Sequence, residues 1–425
     1  MAAGVSASAM HVARASLERV NKGPRSSSAL ASLAGAVLLL GVADSMFGSY
    51  AVLFAADEVG LDPVQVGVFV SAPAVAGIFV SSFLGRRFDR RPTRRYAALV
   101  AVIGALGLSA MAVSRSFVVL VVVALALMGP LSAAFPQLFT LARVVLGDGA
   151  AGRRSVPLLR SGWSLAWAIG PLLAAAVLAR AGYRALLFAG AVTLLLTAVL
   201  TLTVPRPGTA GANVDRDDIP PTAQTLSAPM GRLPLALLVA GVAAFFTAMF
   251  AGSVALPLFV TRALHQPDSS VGVLYSACAA VEVVAALALA ALPSRVSQRA
   301  LIIGGMVAFI AYFGVTVVAG GMPLLLAGQV ARGVGIAVVV AAGIRFFQEA
   351  LAPETGRATT LFSNASTAGS LVAGVLAGAA VRAVGYTGAL ALCGGLALLA
   401  TVLFVAGSSP RMGARRRILA RPAGP

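Results

Sequence analysis

Gly85-Arg86-Arg87-Phe88-Asp89-Arg90-Arg91-Pro92-Thr93-Arg94-Arg95 carries six arginines and one aspartate between two apolar runs of about twenty residues. Lys and Arg in such short loops are retained on the cytoplasmic face of a bilayer. The stretch therefore reads as a topology marker, and the runs on either side of it read as membrane spans. Every assignment of inside and outside starts from this loop.

The composition agrees. The chain has 425 residues, of which 59% are hydrophobic and 11% charged, against about 25% charged in soluble domains. It cannot clothe a water-facing surface of ordinary size, so a polytopic membrane protein is expected. The net charge of +18 does not point to nucleic acid. Most basic residues lie in short loops and tails on one side of the apolar runs, which is the positive-inside pattern. Lys22 is the single lysine, a bias that fits a GC-rich bacterial genome. Cys278 and Cys393 both lie within apolar runs, so neither a disulfide framework nor a metal site is expected.

Crossing a hydrocarbon core of roughly 30 Å takes about twenty residues at 1.5 Å each. Twelve segments meet that length, near 30–56, 64–85, 95–114, 117–146, 153–180, 184–204, 233–263, 270–293, 300–319, 322–350, 357–381 and 386–407. Continuous rather than alternating apolar runs select helices over a barrel. An even count puts both termini on one side. The acidic loop Asp57–Pro63 falls outside. The loop at Arg153 and Arg154 and the tail with Arg411, Arg415, Arg416, Arg417 and Arg421 fall inside with Gly85–Arg95. The expected organisation is a cytoplasmic tail at 1–29, a six-helix half at 30–204, a linker at 205–232, a second six-helix half at 233–407 and a basic tail at 408–425. The linker reads as disordered because it is rich in proline and holds Asp215, Asp217 and Asp218 with no apolar face.

The halves repeat. Val66-Gly67-Val68-Phe69-Val70-Ser71-Ala72 returns as Val271-Gly272-Val273-Leu274-Tyr275-Ser276-Ala277 at an offset of 205, and Gly152-Arg153 returns as Gly356-Arg357 at an offset of 204. Arg160 then matches Asn364, and Gly170 matches Gly374. Two parallel six-helix halves with a site between them near the membrane midplane is a recurrent transporter design.

Ionisable groups inside a span cost about 2.5 kcal/mol or more and normally face a cavity or a partner. The interior polar groups are Asp44, Gln137, Arg160, Glu282, Gln329, Arg332 and Asn364. They avoid the third, sixth, ninth and twelfth segments, which places those four against lipid. Asp44, Glu282 and Arg332 fall near mid-bilayer, so two readings arise. Glu282 and Arg332 form a structural buried pair, or Asp44 or Glu282 carries a proton. The only two tryptophans, Trp163 and Trp167, share a helix face with Arg160. That face, with Gln137, Gln329 and Asn364, would suit a sugar, whose ring has an apolar face and a rim of hydroxyls. Helix packing is the plainer reading. The small-residue stripes Gly77-xxx-Ser81-xxx-Gly85 and Gly374-xxx-Gly378 are expected to serve close packing. No phosphate-binding loop and no catalytic constellation is visible, so neither an enzyme nor a cofactor is expected.

The chain resembles the major facilitator superfamily. Gly85, Asp89 and Arg90 fit the signature of its loop between helices 2 and 3, although Pro92 and Thr93 depart from it. Within the superfamily the chain resembles the bacterial sugar efflux transporters. The resemblance is carried by Pro136–Arg143, by Ser164–Pro171, and by Phe346-Phe347-Gln348-Glu349 followed by Ala358–Asn364. It implies a twelve-helix, all-α membrane fold in a bacterial cytoplasmic membrane and export of sugars or sugar-like solutes by proton antiport. It also implies that Asp89 and Arg90 latch the inner gate. The alternative is an exporter of amphipathic drugs or natural products on the same fold. The expected partners are a small-molecule solute, protons and lipid, with the chain acting as a monomer.

Overall fold

The computed structural model describes residues 3–90, 93–146, 150–206, 231–292 and 296–409. Side chains are described from Ser28 onward, those of Gly85, Asp89, Arg90 and 150–157 excepted. The gating residues Gly85, Asp89 and Arg90 thus have described backbone at the end of a helix and side chains outside the described set. Nearly all of the 205–232 linker and of the 408–425 tail also lies outside it.

Among the described residues, ten helical stretches are long and apolar enough to cross a membrane. Two of them, Leu158–Thr203 with 46 residues and Thr355–Gly407 with 53, are each about twice the length one crossing needs. Each is broken at one glycine, Gly182 with φ 75° and Gly385 with φ 73°. A side chain at such positive φ is strained, whereas glycine takes it freely. One residue therefore reverses the chain where a loop of three or four was expected. Counting each broken stretch as two gives the twelve expected spans.

We number them α1 (Ala3–Leu53), α2 (Pro63–Arg90), α3 (Arg94–Val113), α4 (117–146), α5 (150–181), α6 (183–203), α7 (Arg232–Leu258), α8 (Ser269–Ala291), α9 (Gln298–Val317), α10 (Met322–Ala350), α11 (355–384) and α12 (386–407). Helix α4 is not uniform, for it passes through a π turn at Ala124–Met128 and a 3-10 turn at Gly129–Ala133. Its counterpart α10 is regular throughout.

The repeat extends to individual hydrogen bonds. Helices α1 and α7 both run on into a π turn, Phe54–Glu58 and Phe259–Ala263. After the first, Val59 N–H donates to Phe54 O (3.2 Å) and Leu61 N–H to Ala55 O (3.0 Å). After the second, Leu264 N–H donates to Phe259 O (3.1 Å) and Gln266 N–H to Val260 O (3.0 Å). These are equivalent pairs at the offset of 205 seen in the sequence.

Within each half the helices approach closely at small residues. In the first half Ser45 Oγ donates to both Val42 O and Ala166 O at 3.1 Å, which ties α1 to α5 and sets Asp44 beside Trp167. Gly77 faces Ser132 of α4, and Ser81 Oγ lies 3.4 Å from Ser132 Oγ, so that stripe serves packing as expected. The second half is filled by aromatic rings, with Phe245, Tyr312 and Phe313 each packed on Phe309.

Candidate functional site

The two halves meet along two seams, α2 with α11 and α5 with α8. Both seams use the repeated glycines. A Cβ on Gly67 would lie 2.2 Å from Gly374 O, and one on Gly272 would lie 2.4 Å from Pro171 O. Gly378 sits equally close on Pro63 O. The Gly374-xxx-Gly378 stripe therefore serves packing between halves.

Polar contacts join the halves at the same end. Tyr50 Oη accepts from Gly272 N–H at 3.1 Å, Tyr183 Oη donates to Asp268 Oδ2 at 2.7 Å, and Arg262 is ion-paired with Asp57. All lie near residues 57–62 and 264–268, which we term the closed end. Toward the other end, Arg160 and Ser161 of α5 and Thr359, Thr360, Ser363 and Asn364 of α11 are exposed. Polar side chains of this kind in apolar helices face a gap rather than lipid. The polar contacts between the halves thus gather at one end, and these exposed polar residues lie toward the other.

Asp44 and Glu282 stand near the middle of the spans Ser28–Glu58 and Ser269–Ala291 and are both partly exposed, one on each half. Trp167 stands beside Asp44, and its ring lies over Gly48, which is exposed. The charges acting on Glu282 are Arg332 from its own half and Arg160 from the other.

The expected Glu282–Arg332 pair needs correction. Among the described residues the ion pairs are Arg115–Glu58, Arg262–Asp57 and Arg357–Glu354, so Arg332 acts on Glu282 at longer range without touching it. Arg332 instead donates to Ser253 Oγ (2.7 Å) and to Gln329 Oε1 (3.3 Å). Its guanidinium also lies 4.9 Å from the Tyr275 ring centre and 5.5 Å from that of Tyr312, within the range of cation–π attraction. Depth along the helix placed Arg332 and Glu282 at one level; the rotation of α8 and α10 about their axes turned Arg332 away.

The remaining expected solute contacts divide. Arg160 and Asn364 are exposed, one on each half. Gln329 is fully buried, and its amide is engaged with Leu325 O (3.3 Å) and Arg332, so it holds the arginine and offers no surface to a solute. Gln137 is buried too, and its Oε1 has no hydrogen-bond partner. Trp163 packs edge-on against Phe135 at 4.5 Å and touches Gly41. The face shared by Arg160, Trp163 and Trp167 is therefore split, one residue toward the other half, one into packing and one onto Asp44. Ser253, Tyr275 and Tyr312 escaped the sequence reading because serine and tyrosine in a span are unremarkable until an arginine is seen between them.

Since the chain has only these two tryptophans, Trp163→Phe leaves Trp167 as the sole emitter. Its fluorescence is expected to vary with pH, and Asp44→Asn is expected to abolish that variation. A pH dependence that survives Asp44→Asn would separate the two residues.

Two repeated sets of apolar helices with ionisable groups at mid-span are the architecture of a polytopic membrane transporter. The chain belongs to the Major Facilitator Superfamily, whose sequence model matches residues 33–265 and 237–422. A putative sugar efflux transporter of Deinococcus radiodurans is 35% identical over 86% of this chain and 94% of its own. Sugar efflux transporter A of Dickeya chrysanthemi is 31% identical over 85% and 92%. Among solved structures, the nucleoside transporter NupG superposes with a TM-score of 0.73 at 17% identity, over 90% of this chain and 98% of that one. A bacterial homologue of the human lysosomal transporter Spinster gives 0.68 at 13% identity, over 95% and 99%. These two structures speak to the fold alone. The chain is a multi-pass membrane transporter, and the relatives named above are transporters rather than enzymes.

Proposed function

We propose that this chain exports sugars or sugar-like solutes from a bacterial cytoplasm by proton antiport, with the two halves rocking about the gap. In this reading the closed end, with its acidic loop at 57–62, faces outward. Both termini lie in the cytoplasm, and the chain acts as a monomer. The sugar efflux relatives support the solute class. The observation that supports the mechanism is one partly exposed mid-span carboxylate on each half, Asp44 and Glu282.

Of the two, Glu282 is assigned the proton. Its surroundings include an arginine from each half, so they change when the halves move. Trp167, beside Asp44, belongs to the same half and moves with it. Asp44 with Trp167, together with Arg160 and Asn364, then forms the solute-facing set. A ring of hydroxyls needs such acceptors and donors beside an aromatic face.

Proteoliposomes loaded with radiolabelled sugar test this. Efflux against a concentration gradient is expected to require an imposed pH gradient. Glu282→Gln is expected to lose that drive while keeping sugar-for-sugar exchange. Undiminished proton-driven efflux in the variant would remove Glu282 from the coupling. Efflux of amphipathic drugs with no response to any sugar would overturn the solute class.

A further inference from the structure

We propose that Arg332 and Tyr312 hold a small inorganic anion, chloride, inside the second half. The site does not depend on the solute or proton assignments above. Ser253 of α7, Tyr275 of α8, Tyr312 of α9 and Arg332 of α10 converge there, with Arg332 4% and Tyr312 1% exposed. The rings of Tyr275 and Tyr312 lie 4.9 and 5.5 Å from the guanidinium carbon. Two of its three nitrogens are engaged, Nη2 with Ser253 Oγ at 2.7 Å and Nη1 with Gln329 Oε1 at 3.3 Å. The third, Nε, is buried with no hydrogen-bond partner, and so is the Tyr312 hydroxyl. An arginine Nε–H can only donate, and a tyrosine hydroxyl brings a proton of its own. Two neighbouring side chains thus each present a buried donor that lacks an acceptor, an arrangement costly to leave unmade.

Charge points the same way. A buried charge is ordinarily paired, and a guanidinium is charged at every working pH. Among the described residues Arg332 touches no carboxylate. The foremost side chains acting on it are Tyr312, Cys278 and Tyr275, which are neutral at neutral pH. The ring faces and the two neutral acceptors offset part of the charge. An anion accepting from Nε and from the Tyr312 hydroxyl supplies the rest and satisfies both donors at once. Water would accept from the same donors but bring no charge. The enclosure selects a monatomic ion over the acid group of a solute, whose attached body would need an opening. Leu127 stands where Arg332 does in the repeat, so the site belongs to the second half alone.

Thermal unfolding of the detergent-solubilised full chain tests this, in sodium chloride against sodium methanesulfonate at equal ionic strength. A ligand that binds only the folded state raises the Tm with its concentration. Chloride is expected to raise the wild-type Tm by about 2–4 °C. Arg332→Met is expected to give the same Tm in both salts. Tyr312→Phe is expected to need about tenfold more chloride for half of the shift, since it removes one hydrogen bond to a charged acceptor. A wild-type Tm equal in the two salts overturns the site, and so does a chloride shift of wild-type size in Arg332→Met. An unchanged chloride midpoint in Tyr312→Phe overturns the two-donor geometry, and that variant carries the test should Arg332→Met fail to fold. Unfolding needs no solute and no proton gradient, so the anion site and the sugar assignment stand or fall separately.

Discussion

Gly67→Val is expected to abolish transport while leaving membrane insertion intact, and Gly272→Val is expected to do the same. The reason lies in what the added atoms meet. At Gly67 even a bare Cβ would stand 2.2 Å from Gly374 O, 2.7 Å from Gly374 C and 3.1 Å from Val375 Cα. At Gly272 it would stand 2.4 Å from Pro171 O and 2.6 Å from the Tyr50 hydroxyl. The nearest obstacles are backbone, which cannot rotate away as a side chain can. Overfilled contacts typically cost 1–3 kcal/mol, and about 1.4 kcal/mol is tenfold in an equilibrium constant. The closed seam should therefore lose about 5- to 150-fold in population with alanine and more with valine. Each half can still fold, because both glycines act between halves. Alanine at Gly67 or Gly272 should slow solute flux about fivefold or more on that arithmetic, with expression and detergent-solubilised monodispersity near wild type. Normal flux in Gly67→Ala would show that the α2–α11 seam does not limit the cycle.

The second large effect is expected at Arg332, with opposite signs on stability and on function. Arg332 is 4% exposed and touches no carboxylate among the described residues. Its bonds run to neutral groups, Ser253 and Gln329, and to two tyrosine rings. Desolvating a charge costs several kcal/mol, and replacing buried ions by apolar residues of similar volume is often stabilising by about 1–4 kcal/mol. Arg332→Met should therefore leave the Tm unchanged or raise it. Transport should nevertheless fall, because Arg332 is the first of the charges acting on Glu282. Arg332→Lys should not rescue it, since an ammonium cannot span Ser253 and Gln329 as the planar fork does. Thermal unfolding in detergent and flux in proteoliposomes read the two signs separately. A fall in Tm of many degrees with Arg332→Met would make the residue a structural strut.

The repeat built the scaffold, and departures from it built the site. Asp57 and Arg262, Gly67 and Gly272, Gly170 and Gly374, and Gly182 and Gly385 all stand at offsets of 203 to 205, and all serve the fold or the contact between halves. The mid-span charges have no charged counterparts: Asp44 matches Met249, Glu282 matches Gly77, Arg332 matches Leu127 and Arg160 matches Asn364. This asymmetry suits the proposed site, with an asymmetric solute and a single proton carrier.

Much of this could be read from the sequence, because it depends on one residue or one helix at a time. Hydropathy found the spans, and a constant offset exposed the two halves. Which polar groups meet is a different kind of question. It depends on how each helix is turned about its axis and how far it is shifted against its neighbour, and those quantities come from packing across the whole bundle. Thus Glu282 and Arg332, level in depth, do not touch. Gln329 is withdrawn behind Arg332. Trp163 and Trp167, one turn apart on one helix, serve packing and Asp44 respectively. Asp57 and Arg262, 205 residues apart, come together because only the pseudo-two-fold arrangement of the halves brings both to its axis.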